Sequence, residues 1–349
     1  MRFKRLWAMF TARNLEFFRD RAAFGWNFLF PFLIIAGFGV VFGGKSISEY
    51  KAGVFPVESP MSIHQQVEIP EGFQSSRYVE FVGVPSLETG LALLKHHKID
   101  LLIQRGSAPY AYWTNESSPK GYILEKMLIA SLQPKDTGDL LSRQVVHGKE
   151  VRYIDWLFPG ILGMNMMFSA LWGVGYVVVR YRKNGVLKRL KATPLTAVEY
   201  LSAQMLSRIF LLMFTLITVW IGSDAIFSFE VAGHYLDLAV VFFLGCLSLT
   251  SMGLVLASRG TSEEFTSGVL NFISWPMMFL SEVWFSIEGA PQWIKWIAAT
   301  FPLTHLLTAA RKIMNDGAGL SDVMPELVIL SAMTGVCLAI GATLFSWNE

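Results

Sequence analysis

The sequence predicts an α-helical polytopic membrane protein with six transmembrane helices. An N-terminal interfacial helix, a re-entrant outer hairpin and a small α/β extracytoplasmic domain complete the expected fold. Three observations predict it. Hydrophobic residues make up 53% of the 349-residue chain and charged ones only 16%, against about 25% charge in an ordinary soluble domain. Mean hydropathy is +0.43. The chain also holds several nearly uncharged runs of the length, about 20 residues, that a bilayer core demands. Disorder is excluded by the same composition, because 27 Phe and 11 Trp have to be buried somewhere. Cys246 and Cys337 both lie inside apolar runs and read as small hydrophobes, which leaves neither a disulfide framework nor a cysteine metal site.

The spans follow in order. Residues 22–42, 157–179, 238–257 and 327–347 are uncharged runs. Residues 201–221 form a further span despite Arg208, which is expected to reach back to the interface along its aliphatic stem. Residues 265–285 carry Glu282 near their end. A seventh apolar stretch, 294–307, is short and contains Pro302, so it reads as re-entrant rather than crossing.

Loop charges set the orientation. Residues 1–21 hold Arg2, Lys4, Arg5, Arg13, Arg19 and Arg21, and residues 180–191 hold Arg180, Arg182, Lys183, Lys188, Arg189 and Lys191. Residues 222–237 have no Lys or Arg and three acids, Asp224, Glu230 and Asp237. The positive-inside bias puts the N-terminus and the 180–195 loop in the cytoplasm, and an even number of spans returns the C-terminus there. The expected location is the cell (inner) membrane, multi-pass. Within 1–21, Phe3, Leu6, Trp7, Phe10, Phe17 and Phe18 share one third of a helical wheel, interrupted only by Asn14. That is the pattern of a helix lying in the cytoplasmic interface.

Residues 44–150 are the only soluble block, and the topology puts them outside. Strands are expected at 51–56, 78–82, 99–104 and 110–114, with helices at 86–97, capped by Ser86, and 121–132. The result is a small α/β module. Residues 39–46 fit the phosphate-loop pattern G-x-x-x-x-G-K-[ST]. Half of that match belongs to a span and its Lys45 emerges outside, so the strand-to-helix context that such a loop needs is missing. It reads as coincidence. The net charge of +2 points to no nucleic-acid partner.

Several motifs, taken as an ordered set, carry a resemblance. Leu157-Phe158-Pro159-Gly160-Ile161-Leu162-Gly163 opens the second span. Asn184-Gly185-Val186-Leu187-Lys188-Arg189-Leu190-Lys191-Ala192-Thr193-Pro194-Leu195 forms the basic loop. Glu288-Gly289-Ala290-Pro291-Gln292-Trp293 and Phe301-Pro302-Leu303-Thr304-His305, ending in Arg311, follow the fifth span. Together they resemble the permease subunit of the type 2 ABC exporters, in the branch with an extracytoplasmic domain between the first two spans. The resemblance implies ABC ATPase subunits as partners, a second permease in a homodimer or heterodimer, and a pathway between protomers lined by spans two and five. It implies no cofactor on this chain, with ATP and Mg held by the partner ATPase.

Chemistry specifies candidate sites. Gly185 ends the second span, 186–191 makes about two helical turns with Leu187 and Leu190 on one side, and Thr193-Pro194 stops it. Gly185, Leu187, Lys188, Arg189, Leu190, Thr193 and Pro194 are therefore the candidate ATPase-coupling residues, offering an apolar-edged basic helix to a groove on the partner. The alternative is a topology anchor on anionic membrane lipids. Met164, Asn165, Met167 and Phe168 in span two, with Asn271, Met277 and Met278 in span five, are the candidate translocation pathway, because Met-rich surfaces adapt to varied cargo. Glu282, Pro302, His305 and Arg311 are the candidate outer gate, with His305 and Arg311 as cationic partners of the acid. The function expected is an ATP-driven exporter permease moving amphipathic or lipid-like cargo out of the cytoplasm or inner leaflet. The alternative is a membrane-anchored receptor whose 44–150 domain binds an extracytoplasmic ligand.

Overall fold

The computed structural model describes residues 2–42, 50–57, 69–76, 78–96, 98–106, 109–116, 118–132, 152–258 and 262–345. In chain order the elements are α1 (Arg2–Arg19), α2 (Arg21–Phe42), β1 (Tyr50–Phe55), α3 (Glu71–Gln74), β2 (Val79–Gly83), α4 (Leu87–Lys95), β3 (Leu101–Gln104), β4 (Tyr112–Thr114) and α5 (Pro119–Leu132). Then follow α6 (Tyr153–Ala170), a π-helical turn (Leu171–Tyr176), α7 (Val177–Lys183), α8 (Val186–Lys191), α9 (Ala197–Phe227), α10 (Tyr235–Ala257), α11 (Glu263–Leu280), α12 (Gln292–Ala298), α13 (Pro302–Asp316) and α14 (Met324–Leu344). They form two compact units, Gly44–Lys149 and the remainder of the chain.

The smaller unit is a four-stranded sheet of order β2-β1-β3-β4, in which β1 is parallel to β2 and β3 while β4 is antiparallel to β3. Side chains alternate across it. Leu101 and Ile103 join Ala52, Val54, Phe73, Leu124 and Leu128 in one core, whereas Leu102 joins Phe55, Val84 and Leu94 in the other. Helices thus cover both faces, as a largely parallel sheet requires. Ser86 caps α4 by accepting from the Thr89 N–H, as expected. The short α3 carries no sequence signal of its own, and its buried Phe73 packs into the sheet's core beside Phe81.

The larger unit is helical. Among the described residues four helices are long and apolar enough to cross a bilayer: Tyr153–Lys183, Ala197–Phe227, Tyr235–Ala257 and Met324–Leu344. The segments Phe3–Arg19 and Phe24–Val40, bent by 62° to one another, make a fifth candidate if taken as one span. The expected 265–285 span is shorter than anticipated, because the helix begins with Glu263 and Glu264 and ends at Leu280. Beyond it Glu282 takes a left-handed conformation with φ of +61°. The Gly39–Ser46 match starts inside α2, and its residues 43–46 lie outside the described residues.

The central helix, Tyr153–Lys183, is buried on nearly every side, so its apolar residues run all round it rather than along one stripe. Its glycines permit that depth. A Cβ on Gly253 of α10 would sit 3.2 Å from the Ala170 carbonyl, and one on Gly175 would sit 3.4 Å from the Gly253 carbonyl. Small residues at such a crossing let two membrane helices touch backbone to backbone. Segment 294–307 is two helices, α12 and α13, and Pro302 starts the second of them rather than merely breaking a hairpin. Proline fits a first helical turn, where its missing N–H has no intrahelical partner to lose. The second arm runs on past Arg311 to Asp316, where Gly317 ends it with φ of +70°.

α1 packs along α9, with Phe3 and Trp7 largely exposed as an interfacial helix requires. Asn14, the interruption in its apolar stripe, is buried and accepts a 2.8 Å hydrogen bond from the Ser207 hydroxyl. Asn14→Leu is expected to strand that hydroxyl and to loosen α1 by about 1–3 kcal/mol. Hydrogen exchange across residues 2–19 of the purified protein checks this, and unchanged protection would contradict it.

Candidate functional site

A cavity of about 600 Å³ opens beside the central helix. Met164, Asn165, Phe168, Ser169 and Trp172 line it from that helix, Trp26, Asn27 and Phe30 from α2, Trp275 and Met278 from α11, Arg208 from α9, and Trp284 from the turn after α11. Four of the candidate pathway residues therefore meet here. Three do not. Met167 and Met277 are fully buried in the helical core. Asn271 is exposed and donates to the Ser267 carbonyl of its own helix at 3.0 Å. It lies on a face of α11 that also leaves Phe272, Trp275 and Phe279 exposed. The walls are thus mostly tryptophan, phenylalanine and methionine, suited to a flat or chain-like apolar body.

Arg208 departs from expectation. It does not reach back to the interface. Its Nε donates to the Ser169 carbonyl at 2.6 Å and its Nη2 donates to the same oxygen. Ser169 lies 16 residues into a 31-residue helix, about 24 Å along it at 1.5 Å per residue, so the guanidinium sits near the middle of that helix. The site is built for it. A Cβ on Gly173 would overlap the guanidinium, and Gly173 belongs to the π turn Leu171–Tyr176, a wider turn of the kind often found at functional sites. Gln204, one turn before Arg208, donates to the Gly173 carbonyl at 3.3 Å, and Ser169 donates to Asn27 at 2.6 Å. Arg208, Asn27 and Trp172 also line a smaller cleft of about 240 Å³ with Arg13, Glu16, Asp20 and Gln204. Arg208 therefore stands between the two. The Gly173-x-Gly175 pair was the available sequence signal, but nothing in it pointed to a residue of another span.

At the end of the cavity near Trp284, Arg311 and Glu282 pair at 3.7 Å. Arg311 also donates to the Glu282 carbonyl at 2.5 Å and the Trp156 carbonyl at 3.2 Å, and lies 3.8 Å over the Trp156 ring. The acid accepts from the Ile287 N–H at 2.9 Å. His305 is not part of this pair, since its Nε2 meets the Ala299 carbonyl at 2.9 Å. Its place on the first turn of α13 aims it back at the α12 end. Pro302 is buried at the start of the same helix.

The basic loop folds as its spacing predicts, with Gly185 left-handed at φ of +68° before α8. Its apolar edge has a different use. Leu187 is fully buried in a cluster with Val174, Val178, Tyr200 and Leu201, and Leu190 packs against that cluster. Leu187 is therefore not offered to a partner, and the outward side of α8 is Lys188, Arg189 and Lys191. A clamp from α1 holds this region. Arg5 donates to the Pro194 carbonyl and pairs with Glu199 at 3.2 Å. Arg13 bonds Tyr181, Tyr181 donates to Glu16, and Glu16 pairs with Arg180 at 3.5 Å. Thr193 donates to the Leu190 carbonyl and closes the last turn. Across the loop, the Tyr176 hydroxyl and then the Lys183 ammonium hold the Glu263 carboxyl below its usual range.

Comparison with known proteins agrees with this layout. Residues 22–343 match the model of a family described as ABC-2 family transporter protein. The chain is similar to the inner membrane transport permease YhhJ of Escherichia coli, with 23% identity over 54% of this chain and 51% of that protein. It is also similar to the daunorubicin resistance ABC transporter permease protein DrrB1 of Streptomyces coeruleorubidus, with 22% identity over 53% of this chain and 65% of that protein. The matched stretch thus spans about half to two thirds of these relatives.

Two outcomes follow from the geometry. Leu187→Asp buries a charge in an apolar cluster and is expected to lower the melting temperature of the permease itself, by a few kcal/mol of stability. Glu282→Ala and Arg311→Ala are expected to be less than additive in the double variant, by roughly 1–3 kcal/mol, because each strands the other. Denaturation of the four proteins in one detergent measures that coupling; strict additivity would mean that the pair contributes nothing.

Proposed function

The chain belongs to the ABC-2 family of transporter proteins, and from that premise we propose that it is the transmembrane permease subunit of an ATP-driven exporter. Its cargo is amphipathic or lipid-like and leaves the cytoplasm or the inner leaflet. The observation that carries this reading is the aromatic cavity at mid-depth between α2, α6 and α11. The helices α2 and α11 complete six spans beside the four long ones, both termini lie in the cytoplasm, and Gly44–Lys149 is extracytoplasmic. The location is the inner membrane, as in the name of the E. coli relative.

ATP and Mg belong to separate ABC ATPase subunits. Those subunits grip the permease by the outward face of α8, where Lys188 and Arg189 stand exposed, and by the Thr193-Pro194 turn. The exposed face of α11, with Phe265, Phe272 and Trp275, meets a second permease, and the cavity opens into the path between them. Closure of the ATPase pair moves α8. α1, tied to Pro194, Glu199 and Arg180, moves with it. The packed helices then switch as bodies between inward-open and outward-open arrangements. Release passes the Glu282–Arg311 pair.

Lys188→Glu with Arg189→Glu is expected to lower co-purification of the co-expressed ABC ATPase by about tenfold or more. The permease's own melting temperature should not change, because both side chains are exposed and charge reversal acts on the encounter with a partner. ATPase recovery at wild-type stoichiometry would remove α8 from the contact. Efflux of a fluorescent amphiphile from vesicles holding the assembled complex tests the function as a whole; vesicles that assemble normally yet show no ATP-dependent efflux would overturn it.

A further inference from the structure

We propose that the mid-membrane cavity is an anion-selective subsite, in which Arg208 takes the acidic headgroup of an amphiphile whose apolar body lies against the tryptophans. This rests on the permease reading and names the class of cargo that such a permease accepts. A guanidinium is charged at any physiological pH and has five N–H donors. At Arg208 the Nε and one Nη2 proton go to a single carbonyl, that of Ser169, and Nη1 makes no hydrogen bond among the described residues.

No carboxylate oxygen among the described residues comes within the 4.0 Å of an ion pair. The acids of the adjoining cleft, Glu16 and Asp20, do not reach it, and Glu16 is engaged by Arg13, Tyr181 and Arg180. A carbonyl bond satisfies donors without neutralising charge. A cation held among membrane helices faces the bundle interior or a watery cavity, bonds to an acid or to backbone carbonyls, and marks a substrate or ion path by default. Here it fronts a cavity with Trp26, Trp172, Trp275 and Trp284 around it. The fork of the guanidinium matches a carboxylate or a phosphate. The Ser169 carbonyl fixes the guanidinium and Gly173 leaves room for it, which lowers the ordering cost of binding.

The test uses the purified full chain in phosphatidylcholine nanodiscs, titrated with dodecyl phosphate and with dodecyltrimethylammonium while tryptophan fluorescence is read. Saturable quenching by the phosphate, about tenfold tighter than by the ammonium, is expected, on the scale of a charge-assisted hydrogen bond. R208Q should erase that preference and R208K should keep most of it. Equal response to the two amphiphiles in the wild-type protein overturns the proposal without reference to any variant, so poor folding of R208Q cannot shelter it. An R208Q protein that is monodisperse and keeps the phosphate preference also overturns it. Adding phosphatidylglycerol to the nanodiscs distinguishes the source of the anion. Competition assigns the site to a lipid headgroup, and its absence assigns it to a free amphiphile; both keep the anion site. Failure of the permease reading is separate, since it appears as an ABC ATPase that does not assemble with the chain, whatever the titration gives.

Discussion

Hydrocarbon offers no water to a peptide group or a charge, so backbone polar groups in the bilayer must be satisfied inside the protein and a buried charge is costly. The helical unit is organised by that constraint. Its central helix, Tyr153–Lys183, is covered on nearly every side and keeps its backbone bonded through a change of pitch at Leu171–Tyr176. Arg208 stands beside the middle of that helix, where the Ser169 carbonyl accepts two of its donors and Gly173 leaves room for the group. Without the carbonyl its donors would lose their partner, and with a Cβ at position 173 the guanidinium would have no room.

The same rule operates in different forms near the cavity and near the smaller cleft. Near Trp284, Arg311 is enclosed by an acid, two carbonyls and an indole face, so its charge is spread over partners supplied by the protein. Beside the smaller cleft, Arg5, Arg13, Glu16 and Arg180 knit α1 to the loop and to the neighbouring helices. Asn14 and Ser207 extend that knit inward, and Ser207 directly precedes Arg208. α1 is therefore more than a float on the membrane surface. It braces the loop on one side and the floor of the cleft on the other.

Under the proposed function the aromatic walls meet the cargo and the basic loop meets the ATPase. Arrangements of methionine and tryptophan accept cargo by shape and polarisability rather than by directional bonds. Such walls discriminate weakly, and a fixed charge among them discriminates strongly. The loop separates its duties too, with Leu187 committed to the chain's own core and the lysine and arginine side turned outward.

Much was legible from residue order alone. Long apolar runs announce helices whatever surrounds them, so α6, α9, α10 and α14 stood close to where the runs put them. Local chemistry placed Ser86 as a cap and Gly185 as a left-handed stop, because each acts on neighbours within four residues. Alternation and turn residues located the four strands, and the pairing of Arg311 with Glu282 followed from two opposite charges flanking one break. What residue order could not decide was which neighbour each face of a helix meets. Leu187 looks the same whether it meets a partner or its own core, Met167 and Met277 look the same as Met164 and Met278, and His305 lies as near to Glu282 in the chain as a gate residue would. Arg208 is the clearest case. Its partners, Ser169 and Gly173, are more than thirty positions away on another span, and only tertiary packing brings a cation, a carbonyl and a missing Cβ to one point.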